Sequence, residues 1–156
     1  MAKKFITEID RSMIKGYRIF LDVDGTLTPD GVTTFSQDVL DVVRELGAQN
    51  EVIISSNRPL LERNAEIATI AGGISVTPKV LKPSPALLTQ LPPTDRPILV
   101  IGDKITTDGF FAKNINAPFL QVKRFVNGKE PLRVCLTNLY DNILSVLQYR
   151  SVTHFE

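Results

Sequence analysis

Short runs of consecutive apolar residues alternate along this chain with longer stretches in which apolar residues recur every three or four positions. The first pattern predicts strands buried on both faces, and the second predicts helices with one buried face. Tyr17 to Leu21, Glu51 to Ile54, Pro97 to Ile101 and Phe119 to Val122 read as strands, the third being the most apolar, and a shorter one falls at Gly73 to Val76. After Ser36, placed to cap a helix start, Val39, Leu40, Val43 and Leu46 share a face, and Gly47 is the expected stop. Pro59 suits the first turn of a second helix through Leu60, Leu61, Asn64, Ala65 and Ala68. Pro83-Ser84-Pro85 opens a short helix through Leu87 and Leu88, and Thr106 or Thr107 starts another through Phe110, Phe111 and Ala112. Leu139, Tyr140, Ile143, Leu144 and Leu147 form the apolar face of a C-terminal helix. Strands alternating with helices predict an α/β fold, a parallel sheet covered on both faces.

At 156 residues the chain is long enough for one self-sufficient core. We expect a single domain over 1–150 and a frayed tail over 151–156, which holds His154, the sole histidine. A single cysteine, Cys135, excludes an intrachain disulfide, and its neighbours Val134 and Leu136 predict a packed thiol. No apolar run is long enough to span a membrane, and no apolar segment suited to secretion follows Lys3-Lys4-Phe5, so a cytoplasmic location is expected. The net charge of +1 argues against a globally steered nucleic-acid binder.

The chemistry concentrates where the first strand ends. Ile19-Phe20-Leu21 runs straight into Asp22-Val23-Asp24-Gly25-Thr26, which delivers two carboxylates to the C-terminal edge of a parallel sheet, where ligands bind. Two like charges held together there are costly unless a divalent cation offsets them. A calcium loop of the EF-hand type is excluded, because its Gly and acid positions fall on Leu27 and Thr33.

Three further polar signals also follow predicted strands. Ser55-Ser56-Asn57, with the helix start at Pro59, offers hydroxyls and amides suited to phosphate oxygens. Lys82 precedes Pro83 and is placed to neutralise an anion, and Gly102-Asp103 with Asp108 supplies two more acids after the most apolar strand. Each taken alone is an ordinary loop, cap or surface charge. Their order, each at a strand end, is specific.

That order resembles the haloacid dehalogenase-type phosphohydrolases, whose pattern is D-x-D-G-T, a strand-ending Ser or Thr, a Lys, and G-D followed by a second acid. The match covers nearly the whole domain: Asp22 to Thr26, Ser55, Lys82, and Gly102-Asp103 with Asp108. Lys82-Pro83-Ser84-Pro85 with Gly102 to Asp108 also resembles a branch that includes phosphatidylglycerophosphate phosphatases. The resemblance implies a three-layer, Rossmann-like sandwich and a phosphomonoesterase acting through an aspartyl-phosphate. It makes Asp22 the nucleophile and Asp24 the general acid and base. Mg²⁺ would be held by Asp22, the Asp24 carbonyl and Asp103, with Asp108 ligating through water or orienting Lys82. Ser55, Ser56 and Lys82 would bind the phosphoryl group, and Thr26 would shape the loop and support Asp24.

Members of that family that act on small metabolites usually carry a cap domain between these motifs. The roughly thirty residues from Asp22 to Ser55 are used up by one turn, one helix and one strand of ordinary length, and the next gap is shorter. No cap is therefore expected. An open cleft suits a phosphate on a lipid headgroup, a protein or a nucleic-acid end, or a small metabolite if a second subunit closes the site. Lys123, Arg124, Lys129 and Arg133 form a basic cluster that either meets an anionic membrane or polynucleotide, or is a solvated loop. The contrasting expectation is a binding module that keeps the fold without catalysis.

Overall fold

The computed structural model describes residues 3–77, 79–129 and 132–148, excluding the side chains of 145–148. The expected tail with His154, and Leu147 on the C-terminal helix, lie outside the described side chains.

Five strands form one all-parallel sheet: β1 (Arg18–Leu21), β2 (Glu51–Ile54), β3 (Ile74–Ser75), β4 (Ile98–Gly102) and β5 (Phe119–Gln121), in the order β3-β2-β1-β4-β5. Among the described residues, helices α1 (Gln37–Gln49), α2 (Leu61–Ile70), α3 (Phe110–Asn114) and α4 (Leu132–Gln148) accompany the sheet, with 3₁₀ helices at Ile6–Glu8 and Pro85–Gln90 and a π-helical turn at Ile105–Gly109. Successive residues of β1 face opposite ways. Ile19 and Leu21 join one apolar cluster with Val39, Val43 and Leu46 of α1 and Ile67 of α2. Phe20 joins the other with Ile53, Val100, Leu87 and Phe111. Phe20 and Phe111 meet edge-on at 5.1 Å. The sheet is thus covered on both faces, which is why its central strands are apolar throughout.

The strand order sets where a site can form. From β1 the chain moves outward to β2 and β3, then returns to the other side of β1 as β4. Beside the C-terminal ends of β1 and β4 lies the switch point, where a crevice opens in such sheets. Asp22 and Asp103 are the residues that immediately follow these two strands. Only α1 and β2 separate Asp22 from Ser55, and only α2 and β3 lie between Ser55 and Lys82.

Several local expectations change. Gly47 does not end α1, which continues to Gln49. A Cβ on Gly47 would lie 1.9 Å from the Ala71 carbonyl oxygen, so this glycine permits contact with the segment after α2. Cys135 is exposed, not packed. On α4, Leu132, Leu136, Leu139, Tyr140 and Ile143 are exposed, and the helix is tied to the domain by Asp141, which accepts a hydrogen bond from the Thr106 amide at 3.1 Å. No helix among the described residues is long and apolar enough to cross a membrane.

Candidate active site

Asp22 is fixed by the sheet itself: its amide donates to the Ile101 carbonyl at 3.0 Å, which extends the β1–β4 ladder by one bond. Val23, fully buried, then anchors a tight loop by accepting from the amides of Thr26, Leu27 and Thr28. Gly25 takes φ +86° in that loop, a conformation few residues but glycine adopt readily.

The loop brings Asp22 beside Asp103 and Asp108. One oxygen from each carboxylate lies within 4.8 Å of the others, and all three residues are buried. Thr26 Oγ1 sits between two of them, 3.3 Å from Asp22 Oδ2 and 3.1 Å from Asp103 Oδ1. It therefore steadies the Asp22–Asp103 pair and makes no side-chain bond to Asp24. Lys82 Nζ donates to Asp22 Oδ1 at 2.8 Å and to Asp108 Oδ1. Asn57 holds this lysine in place with two bonds to its backbone: the amide of Lys82 donates to Asn57 Oδ1, and Asn57 Nδ2 donates to the Lys82 carbonyl, both at 2.9 Å. Gly102 lets Asp108 approach, since a Cβ there would fall 2.4 Å from the Asp108 carboxyl carbon.

Burial disfavours the charge on Lys82, but Asp108 and then Asp22 outweigh it and keep the ammonium well above its ordinary range. Burial pushes Asp103 up to about 8, reinforced by Asp22 and opposed by Arg124. Asp108 is pushed up to about 6, first by burial and then by Asp22, with Lys82 opposing. Like charge adds to burial: among the described residues Asp22, Asp30, Asp103 and Asp108 form ion pairs with Lys82 and Arg124, four carboxyl groups to two bridging cations, while Lys104 and Lys3 also attract Asp103. All the donors are carboxylate oxygens, so a hard divalent cation such as Mg²⁺ fits both the ligand chemistry and the charge.

Asp24 lies outside this cluster. Arg63 grips it through two bonds, Nη1 to Oδ1 at 3.1 Å and Nη2 to Oδ2 at 2.8 Å. The Gly31 amide and Ser56 Oγ donate to it at 2.9 and 2.8 Å, and Arg58 Nε is 3.2 Å away. Burial raises the Asp24 carboxyl, yet Arg63, then the Gly31 amide and Ser56, outweigh it and hold the group at about 2. Ser56 also accepts from the Arg58 amide, so its hydroxyl is committed to the loop. The buried Ser55 hydroxyl has no hydrogen-bond partner.

A cleft of about 310 Å³ is lined by Asp22, Asp24, Asp30, Ser56, Asn57, Arg58, Pro59, Lys82, Lys104 and Thr107. It brings together all four chain segments singled out in the sequence, the one around Asp103 through Lys104 and Thr107. Arg58, Arg63, Asp30, the hold of Asn57 on Lys82 and the inward role of Arg124 were not among the expected site features. The basic cluster is not one patch. Arg124 turns into the acidic cluster, Lys123 lies 4.5 Å over the Phe5 ring, and Lys129 and Arg133 are exposed.

No protein-family model matches the chain, and neither curated proteins nor solved structures include a significant match.

Proposed function

We propose that this protein is a Mg²⁺-dependent phosphomonoesterase of the haloacid dehalogenase type, working through an aspartyl-phosphate on Asp22. The observation that carries the reading is the meeting of three buried carboxyl groups, Asp22, Asp103 and Asp108, with Lys82 at the sheet's switch point. The sequence resemblance assigns the same residues to the same chemistry. The absence of an inserted unit between the motifs supports a capless member.

In this reading an Asp22 carboxylate oxygen attacks phosphorus, the ester P–O bond breaks, and the leaving alcohol oxygen takes a proton from Asp24 in its protonated form. Lys82 neutralises charge on the phosphoryl oxygens, and the unpartnered Ser55 hydroxyl donates to one of them. Mg²⁺, held by Asp22 and Asp103 with Asp108 nearby, would supply further charge neutralisation at the same oxygens. Water then attacks the aspartyl-phosphate, and Asp24 takes its proton. The Arg63 grip keeps Asp24 ionised, which suits it as the base of this second step. Acting as the acid of the first step requires its release from Arg63 and Arg58.

For the substrate, the likeness of Lys82 to Pro85 and Gly102 to Asp108 to phosphatidylglycerophosphate phosphatases favours a lipid phosphate. A protein, a nucleic-acid end or a small metabolite is the alternative. A panel of phosphate esters that includes phosphatidylglycerophosphate, assayed with Mg²⁺ and with excess chelator, tests both points. Hydrolysis should stop in chelator, and Asp22→Asn should form no phosphoenzyme. Undiminished hydrolysis in chelator would remove the metal from the mechanism.

A further inference from the structure

Arg124 is built into the acidic cluster from several sides. Its backbone is pinned on either flank: the Lys123 amide donates to the Lys4 carbonyl at 2.7 Å, and the Phe125 amide donates to the Gly25 carbonyl at 2.8 Å. The Phe125 ring stacks on Phe5 at 4.7 Å. So held, the guanidinium bridges two acids, Nη1 bonding to Asp103 Oδ2 and Nη2 to Asp30 Oδ2 at 2.5 Å. Gly25 makes room for it, because a Cβ there would lie 2.9 Å from Arg124 Nη1 and 2.6 Å from Asp103 Oδ2. Arg124 is not among the cleft-lining residues, whereas Arg58 and Lys104 are. Its two described side-chain bonds are both to carboxylates.

The bridge is incompletely satisfied. Arg124 Nε and Asp30 Oδ1 are buried without hydrogen-bond partners, so the arginine and Asp30 meet through one contact where a two-bond fork is available to them. Both oxygens of Asp103 are also engaged, one near Thr26 and one by Arg124. A cation that takes Asp103 as a ligand must compete with this arginine, and Asp30 gives the guanidinium somewhere to remain.

We propose that Arg124 is the resident counter-cation of the cluster, displaced from Asp103 when a divalent cation binds and retained by Asp30. This rests on the metal reading above. Its consequence is that metal affinity is set by competition with an internal positive charge, and that Asp30 favours the metal-bound arrangement by holding the arginine aside.

The test is calorimetric titration of Mg²⁺ alone into the metal-free full-length chain, for wild type, Arg124→Gln, Asp30→Asn and the double variant. Arg124→Gln removes a like charge beside the site and should tighten Mg²⁺ binding by at least about tenfold. Asp30→Asn should weaken it, and by distinctly more in the wild-type background than in Arg124→Gln, because only the former has an arginine to hold aside. Unchanged or weaker binding in Arg124→Gln overturns the proposal, as does an Asp30→Asn effect of equal size in both backgrounds. If Arg124→Gln does not fold, Asp30→Asn alone still decides, since unaltered affinity there contradicts the holding role. Loss of binding in wild type and every variant would instead overturn the metal reading itself, and with it this inference.

Discussion

Asp24 shows how a carboxylate's partners bear on the role proposed for it. A carboxylate beside Asp22, the proposed nucleophile, is expected to be both acid and base, but Arg63, Ser56 and the Gly31 amide stabilise its charged form. Because its folded value, about 2, lies below its ordinary 3.8, the contribution to stability is complete above about pH 4 and is lost as pH falls through 2. Its size is on the order of 2 kcal/mol. Arg63→Met should destabilise the fold by about 3–5 kcal/mol at pH 7, since it leaves a buried charge unpaired. In urea unfolding between pH 2 and 5, that variant should also lack the acid loss attributable to Asp24. A wild-type acid slope preserved in Arg63→Met would dissociate the pair from the shift. Arg63 was half legible in the sequence. It sits with Asn64, Ile67 and Ala68 on the buried side of α2, whereas Leu61, taken as part of the apolar face, is 52 % exposed. An arginine on a buried stripe signals a hidden acid, but helical periodicity does not say which one. Its partner lies 39 positions away and becomes visible only once the loops are folded together.

Within single elements, the sequence was read well where one physical rule decides and less well where two compete. The apolar runs gave strands because burial on both faces leaves few alternatives, and Ser36 caps α1 as expected, accepting from the Val39 amide. Gly47 was ambiguous: glycine ends helices, yet it also permits close approach, and here the approach to Ala71 prevails. Gly47→Ala should therefore cost about 1–3 kcal/mol in unfolding experiments while leaving hydrolysis per folded molecule unchanged. A stability gain, as expected of an ordinary helix glycine, would refute the packing account. Gly102→Ala should do the opposite, with a larger loss of hydrolysis than of stability, because the added methyl meets the Asp108 carboxylate. The α4 helix forms as expected, with its apolar face largely uncovered among the described residues. Its spacing is amphipathic, but the described contacts leave Leu136 and Leu139 each 57 % exposed. Leu136→Ser should accordingly change stability by less than about 0.5 kcal/mol.

Across the molecule, the parallel topology assembles acids from β1 and β4 and a lysine from the loop beyond β3 into one buried cluster with more carboxyl groups than bridging cations. The motif order in the sequence anticipated this meeting, because strand-end residues in a parallel sheet share an edge. The counter-charges were not legible, since Arg124 reads as one member of a basic run until its side chain is seen to turn inward. The imbalance should be measurable as linkage. Asp103, with its folded value raised to about 8, binds a proton more tightly in the native state than in the unfolded chain. Metal-free protein should therefore lose stability as pH rises from about 4 toward 8, the range over which the group ionises in the unfolded chain while the native state still holds its proton. In the proposed reading Mg²⁺ takes the place of that proton and binds only the native state. At a hundredfold excess over its dissociation constant it should add about 2.7 kcal/mol, with the gain growing from pH 6 to pH 8 as proton competition fades. Urea midpoints measured with Mg²⁺ and with chelator at the two pH values provide the check. A chelator effect that is absent, or larger at pH 6 than at pH 8, would mean that the cluster is balanced by its own arginine and lysine and requires no metal.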